Sequence, residues 1–130
     1  MSYAMTIRLP AAFAPTLDRV RAALQEQGFG VLTEIDVQAT LRQKLGVQME
    51  DYVILGACNP PLAYRAVEAD RDIGLLLPCN VVVRAEAPDA TVVQALDPQV
   101  MVQLSDRAGI ETVAEEAAER LRAALTALAG

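Results

Sequence analysis

Two short segments carry the residue types best suited to chemistry, and each contains the pair Cys-Asn, at Cys58 and at Cys79. Each pair follows an apolar stretch of strand type. A thiol just before a helix N-terminus lies near backbone N–H groups and the positive end of the helix dipole, which favour an anion. A glycine before the first pair would let a ligand approach the backbone. We therefore predict a ligand-binding groove formed by Gly56, Cys58, Asn59, Pro60, Pro78, Cys79 and Asn80.

The cysteines leave several chemistries open if their segments are neighbours. Cys58 and Cys79 could provide a nucleophilic or redox thiol, a reversible disulfide, or two ligands for a soft metal such as Cu(I). Their Cys-x20-Cys spacing is not a thioredoxin-like pair, and two sulfurs cannot complete a tetrahedral zinc site within one chain. Small buried cysteines at strand ends are the structural alternative. We expect no cofactor and no metal, with Cys58 and Cys79 as the candidate ligands if a metal binds.

The chain has no histidine and a single lysine, Lys44. Without imidazole, neither a Ser-His-Asp nor a Cys-His nucleophilic pair can be built from this chain. A hydrolase or isomerase would have to rely on carboxylates, and Glu34 and Asp36 are the candidates because alternate residues of a strand share a face. An exposed edge strand followed by a helix cap explains the same two residues structurally. We expect a binding or accessory module rather than an enzyme.

Composition excludes several partners. The 130 residues include 17 acidic and 11 basic ones, for a formal net charge of -6. An acidic chain without a basic cluster is unsuited to nucleic acid or to an anionic membrane surface. The N-terminal sequence does not resemble a signal peptide, and apolar runs are far too short to span a bilayer. We expect a cytoplasmic protein folded as one domain over residues 1–130.

Alternation and capping signals predict the elements that would position the groove. Strands are predicted at residues 3–9, 30–35, 52–56, 73–77, 81–85 and 91–96, and helices at 15–27, 37–45, from 60 onward, and 109–129. Gly28 is placed to end the first helix, Asp36 and Asn59 to cap the next two, and Gly46 to end the second. Pro88 and Pro98 interrupt the pattern of residues 86–109. No element is predicted there apart from the strand at 91–96.

These elements predict an α+β fold, an antiparallel sheet of about five to six strands with helices packed on one face. The last helix carries one apolar stripe and an opposite charged side that includes a Glu116–Arg120 pair. Residues 53–55, 75–77 and 81–83 are continuous apolar runs, which are typical of strands buried on both faces. We therefore expect a homodimer in which a second copy covers the other face. The alternative is that the short helix over 37–45 covers it.

The sequence resembles the bacterial and archaeal domain of unknown function 302 family. The similarity spans nearly the whole chain and is carried by GFGVLTEID at 28–36, KLGV at 44–47, YVILGACNP at 52–60 and IGLLLPCNV at 73–81. Asn59, Pro60, Leu77 and Pro78 match the family's hallmark positions, whereas cysteines at 58 and 79 mark a subset. Any thiol function would therefore belong to that subset.

The resemblance implies a fold similar to the TATA-box-binding protein, strand-helix-four strands-helix in outline, in proteins that are often dimeric. It implies no DNA binding, because the likeness is one of geometry. The family has no established activity, so it assigns no catalytic residue. The expected protein is a homodimer that binds a small molecule in the groove or serves as an accessory module, with the thiol and carboxylate chemistries as alternatives.

Overall fold

The computed structural model describes residues 2–130, which form five strands, five α-helices and one 3-10 helix. The strands are β1 (Ala4–Leu9), β2 (Gly30–Asp36), β3 (Tyr52–Cys58), β4 (Cys79–Ala87) and β5 (Ala90–Leu96). The α-helices are α1 (Phe13–Glu26), α2 (Val37–Leu45), α3 (Pro60–Ala69), α4 (Gln99–Leu104) and α5 (Ile110–Ala129). The 3-10 helix, Arg71–Leu76, lies between α3 and β4.

The strands form one antiparallel sheet in the order β1-β5-β4-β3-β2. Helices α1 and α5 pack against each other and against one face of this sheet. The predicted α+β fold with an antiparallel sheet and helices on one side is therefore confirmed. The strand-helix-four strands-helix outline is also present, with the shorter helices inserted between its elements.

The end of α1 shows how the sequence sets a local structure next to the groove. Gly28 has a φ of 85°. Its N–H donates to the Gln25 carbonyl at 3.0 Å, and the Phe29 N–H donates to the Leu24 carbonyl at 2.9 Å. This pair of hydrogen bonds defines a Schellman motif, in which the left-handed residue is usually glycine. Phe29 is consequently turned back and buried.

The core has two clusters of buried side chains. The first lies between the sheet and the helices α1 and α5, and its central members include Leu55, Val83 and Leu121. The second lies beyond the sheet, where α3, the 3-10 helix and α4 pack around the N-terminal half of α5. Helix α5 contributes its predicted apolar stripe to both clusters. Its 20 residues make it the longest helix, yet within residues 2–130 no helix is apolar enough over sufficient length to cross a membrane.

The second face of the sheet is covered only in part. Helix α2 begins at the predicted Asp36 cap, whose carboxylate accepts the Ala39 N–H at 2.9 Å, and ends at Gly46, whose φ is 71°. It packs on β2 and β3. The rest of this side presents half-buried apolar side chains from β3, β4 and β5: Tyr52, Ile54, Val82 and Leu96. We call this surface the open face.

The strand predicted at residues 73–77 is wrong, because this segment belongs to the 3-10 helix and its exit. The Asp70 carboxylate accepts the Asp72 N–H at 3.0 Å and begins the helix. Helical spacing then buries Ile73 and turns Leu75 outward, where it is 89% exposed. The apolar run 75–77 is thus divided between core and solvent, and it offers no argument for a sheet buried on both faces.

Helix α4 lies within residues 86–109, for which the sequence pattern predicts only one strand. The Asp97 carboxylate accepts the Gln99 N–H at 3.0 Å, and Pro98 directly precedes the helix. Asp-Pro is therefore a helix start here as well as the end of β5. The helix is short, but it brings Met101 into the second core cluster.

Candidate functional site

A groove opens where the two core clusters meet, at the C-terminal end of β3 and the N-terminal end of β4. It encloses about 260 Å³. Its walls come from the start of β2, the two strand ends, α3, α4 and α5, and its lining residues are Phe29, Leu32, Ala57, Cys58, Asn59, Leu62, Ala63, Ala66, Leu77, Pro78, Cys79, Met101, Val113 and Ala117. Apart from the Asn59 side chain and two thiols, these side chains are apolar. A recessed apolar space of this kind is typical of small-molecule sites.

Four of the seven predicted site residues line this groove: Cys58, Asn59, Pro78 and Cys79. Asn59 is positioned by its role as the cap of α3, because its Oδ1 accepts the Leu62 N–H at 3.3 Å. Its side chain packs closely on the turn after α1, where a Cβ on Gly28 would lie 3.0 Å from the Asn59 Nδ2. Gly28 is thus required both by its positive φ and by the proximity of Asn59.

The other three predicted residues lie outside the groove lining. Gly56 lies under Thr33 and Pro78, and a Cβ there would overlap the Thr33 hydroxyl and stand 2.9 Å from the Pro78 Cγ. The space above this glycine is therefore already filled by the protein. Pro60 is exposed at the first position of α3, and Asn80 lines a separate depression on the open face.

Leu32 forms part of the mouth of the groove because of a β-bulge. Val31 pairs with Ala57 and Thr33 pairs with Gly56, so Leu32 has no partner on β3. Bulges commonly redirect a side chain near a functional site. Here the redirected leucine lines the groove while remaining 66% exposed. Strict alternation in β2, which the sequence analysis assumed, could not place it.

The two cysteines meet at the groove as unpaired thiols. Cys79 pairs with Ala57, the residue before Cys58, so the two thiols belong to adjacent strands. The pKa of the Cys79 thiol is raised to about 11, mainly by burial and to a smaller extent by the nearby Cys58. Cys79 is therefore protonated at neutral pH and is a poor nucleophile there.

Glu34 and Asp36, the candidate carboxylate pair, do not form a shared site. Glu34 forms an ion pair with Arg21 of α1, and Asp36 caps α2. Neither residue lines the groove. Across the open face, Arg8 pairs with Glu86 at 3.3 Å. Over residues 2–130, no three acidic, cysteine or histidine side chains are grouped so that they could hold a metal ion.

Sequence reasoning missed most of the apolar wall. Leu62 and Ala66 lie on α3 four positions apart, and Val113 and Ala117 have the same spacing on α5. This periodicity marks a buried helix face but does not say that the face borders an open space. The useful signal is side-chain size, since the groove-facing positions of these helices include Ala63, Ala66 and Ala117.

Comparison with known proteins agrees with this architecture. The family model described as "Domain of unknown function DUF302" matches residues 5–128. A crystal structure of an uncharacterized conserved protein DUF302 from Bacillus stearothermophilus is 28% identical and covers 97% of this chain and 98% of its own, with a TM-score of 0.88. Among curated proteins no significant match is found. The chain therefore belongs to the DUF302 family.

Proposed function

We propose that this chain is a homodimeric accessory module that binds a small molecule in the groove between its two core clusters. The observation that carries the proposal is the groove itself, a recessed apolar space of about 260 Å³ at the strand ends. Four side chains singled out by their chemistry, Cys58, Asn59, Pro78 and Cys79, converge on it.

The way in which the groove is kept open supports a binding role. Protein interiors are close-packed, and unfilled apolar space lowers stability. Here the wall includes Ala57, Ala63, Ala66 and Ala117, any of which a larger apolar residue could replace to fill the space. An occupant that packs against these alanines would recover the missing contacts.

The test is binding of the neutral fluorescent probe N-phenyl-1-naphthylamine to the wild type and to Ala63→Leu. Ala63 is half-buried in the middle of α3, so leucine there extends into the groove from a helix that tolerates it. Ala22→Leu, at an exposed position of α1, is the matched control. We expect saturable binding to the wild type and the control, and at least about tenfold weaker binding to Ala63→Leu. Equal binding to all three proteins would refute the groove as the site.

The open face is the surface through which we propose that the homodimer forms. Its apolar centre, formed by Tyr52, Val82 and their neighbours, is only half-buried, and a depression of about 530 Å³ runs across it. Arg8 and Arg84 flank Val92 across the strands, and Arg8 pairs with Glu86. Tyr52, the cross-strand neighbour of Arg84, and Val82 remain available to meet a second copy across a two-fold axis.

Sedimentation equilibrium tests this assembly directly. Asn80 is exposed and lines the open-face depression, so Asn80→Arg would place two like charges in the proposed interface. Gln25→Arg on the exposed side of α1 adds the same charge elsewhere. We expect wild type and Gln25→Arg to be dimers at micromolar concentration and Asn80→Arg to be a monomer. A monomeric wild type would refute the homodimer.

A thiol function is the second candidate, favoured by the convergence of Cys58 and Cys79 on one groove. In such a reaction the two thiols would give two electrons and two protons to glutathione disulfide, forming one protein disulfide and two molecules of glutathione. We infer a cytoplasmic setting, in which reduced thiols of this kind persist. Peptide mapping after incubation with glutathione disulfide would show a Cys58–Cys79 link. Failure to form it would exclude the redox role.

A further inference from the structure

Among the residues that the structure describes, the lining of the groove carries no formal charge. Burying an ionised group without a partner is strongly unfavourable, and the group usually neutralises instead. The groove therefore discriminates against a ligand that brings its own charge into it.

Three charged side chains on α3 and α5, Glu116, Arg65 and Arg120, form ion pairs with one another. Glu116 on α5 pairs with Arg65 at 3.2 Å and with Arg120 at 3.7 Å. Arg120 also donates to the Gln27 carbonyl at 3.3 Å, beside the turn that holds Gly28. An anionic head group reaching out of the groove would have to compete with Glu116 for these guanidinium groups.

The lining offers few polar atoms, and one of the two in the Asn59 side chain is already used. The Asn59 Oδ1 accepts the cap hydrogen bond from Leu62. Cys79 is held in its neutral form by burial, with its pKa raised to about 11, so it adds no charge to the wall at neutral pH. The groove thus offers mainly dispersion and apolar contact.

Its volume sets an approximate size for the occupant. An apolar cavity of about 150 Å³ holds benzene. The groove encloses about 260 Å³, which leaves room for a fused bicyclic ring or a medium-length hydrocarbon chain. Leu32, exposed at the mouth, can pack on a portion of the ligand that extends outward.

We propose that the ligand of this groove is an uncharged, predominantly apolar molecule the size of a bicyclic aromatic or a ten-carbon chain. The inference rests on the proposed function, since it assigns a ligand class to the same site. It adds a specificity rule: at equal chain length, an alcohol binds and a carboxylate is rejected.

The experiment is displacement of bound N-phenyl-1-naphthylamine by decan-1-ol and by decanoate, below their aggregation limits and at neutral pH. The two competitors share a chain length and differ in head-group charge. We expect half-displacement by decan-1-ol at a concentration at least about tenfold lower than by decanoate, because only the carboxylate brings a charge. Ala22→Leu is expected to retain this preference.

The outcomes separate the ligand class from the site. Equal or better displacement by decanoate would overturn the uncharged-ligand inference while leaving a ligand site in place. If neither compound displaces the probe, although Ala63→Leu weakens probe binding, the proposed size and shape of the ligand would be overturned. Absence of probe binding to the wild type, or binding unaffected by Ala63→Leu, would instead refute the proposed function.

Discussion

The two core clusters are filled in different ways, although one helix serves both. The C-terminal half of α5 gives Leu121, Leu125 and Leu128 to the first cluster, against the sheet. Its N-terminal half gives Ala114 and Ala117 to the second, with Ile110 and Val113. The groove opens beside Val113 and Ala117. A helix with a continuous apolar stripe can therefore pack closely along one half and border an open space along the other.

The largest expected effect is on the free energy of unfolding, and it is seen by replacing one leucine from each cluster. Leu55→Ala removes a fully buried side chain from the first cluster, and we expect the free energy of unfolding to fall by about 2–5 kcal/mol. Leu62→Ala should cost less, because the Leu62 side chain borders the groove, where part of its surface faces open space instead of other side chains. Urea denaturation measures both values. Equal losses would mean that the groove wall is packed as tightly as the first cluster.

A smaller effect is expected where Gly56 supports the edge of the groove. Gly56→Ala would place a Cβ against Thr33 and Pro78, and overpacking of this kind lowers the free energy of unfolding by about 1–3 kcal/mol. Gly74 in the 3-10 helix has no heavy atom within 4 Å of the corresponding Cβ position. Gly74→Ala is therefore the matched control, and its melting temperature should stay unchanged or rise. A neutral Gly56→Ala would contradict the close packing above the glycine.

These glycines also show where sequence reasoning succeeds and where it stops. Local signals placed the Gly28 turn, the Asp36 and Asn59 caps and the end of α2 at Gly46, because each depends on a few neighbouring residues. The strand predicted at 73–77 failed because the Asp70 cap and helical burial of Ile73 outweighed an apolar run.

The candidate site was predictable to a similar extent. Cys58, Asn59, Pro78 and Cys79 could be singled out by residue type and position after strands. Met101 could not, since it reaches the groove from α4, a helix recognisable only from its Asp97-Pro98 start. Leu32 also escaped prediction, because a bulge changes strand register without an obvious local sequence signal.

The smallest predicted effect is a pH dependence of the free energy of unfolding. It arises from one group, the Cys79 thiol, on the groove side of the first cluster. The folded protein keeps the Cys79 proton up to a pKa of about 11, whereas the unfolded chain releases it near pH 9. The associated stability is fully present below about pH 9 and is lost as the pH rises toward 11. Denaturation at several pH values should show this decline in the wild type, and a shallower one in Cys79→Ala. Identical slopes would contradict the burial of the thiol.

The most direct test of the central claim is methyl chemical-shift mapping by NMR during titration with decan-1-ol. We predict saturable shifts at Leu62, Leu77 and Met101, which line the groove, with Val82 and Leu96 on the open face unchanged. Shifts confined to Val82 and Leu96, or no saturable shifts at the groove methyls, would contradict the assignment of the groove as the ligand site.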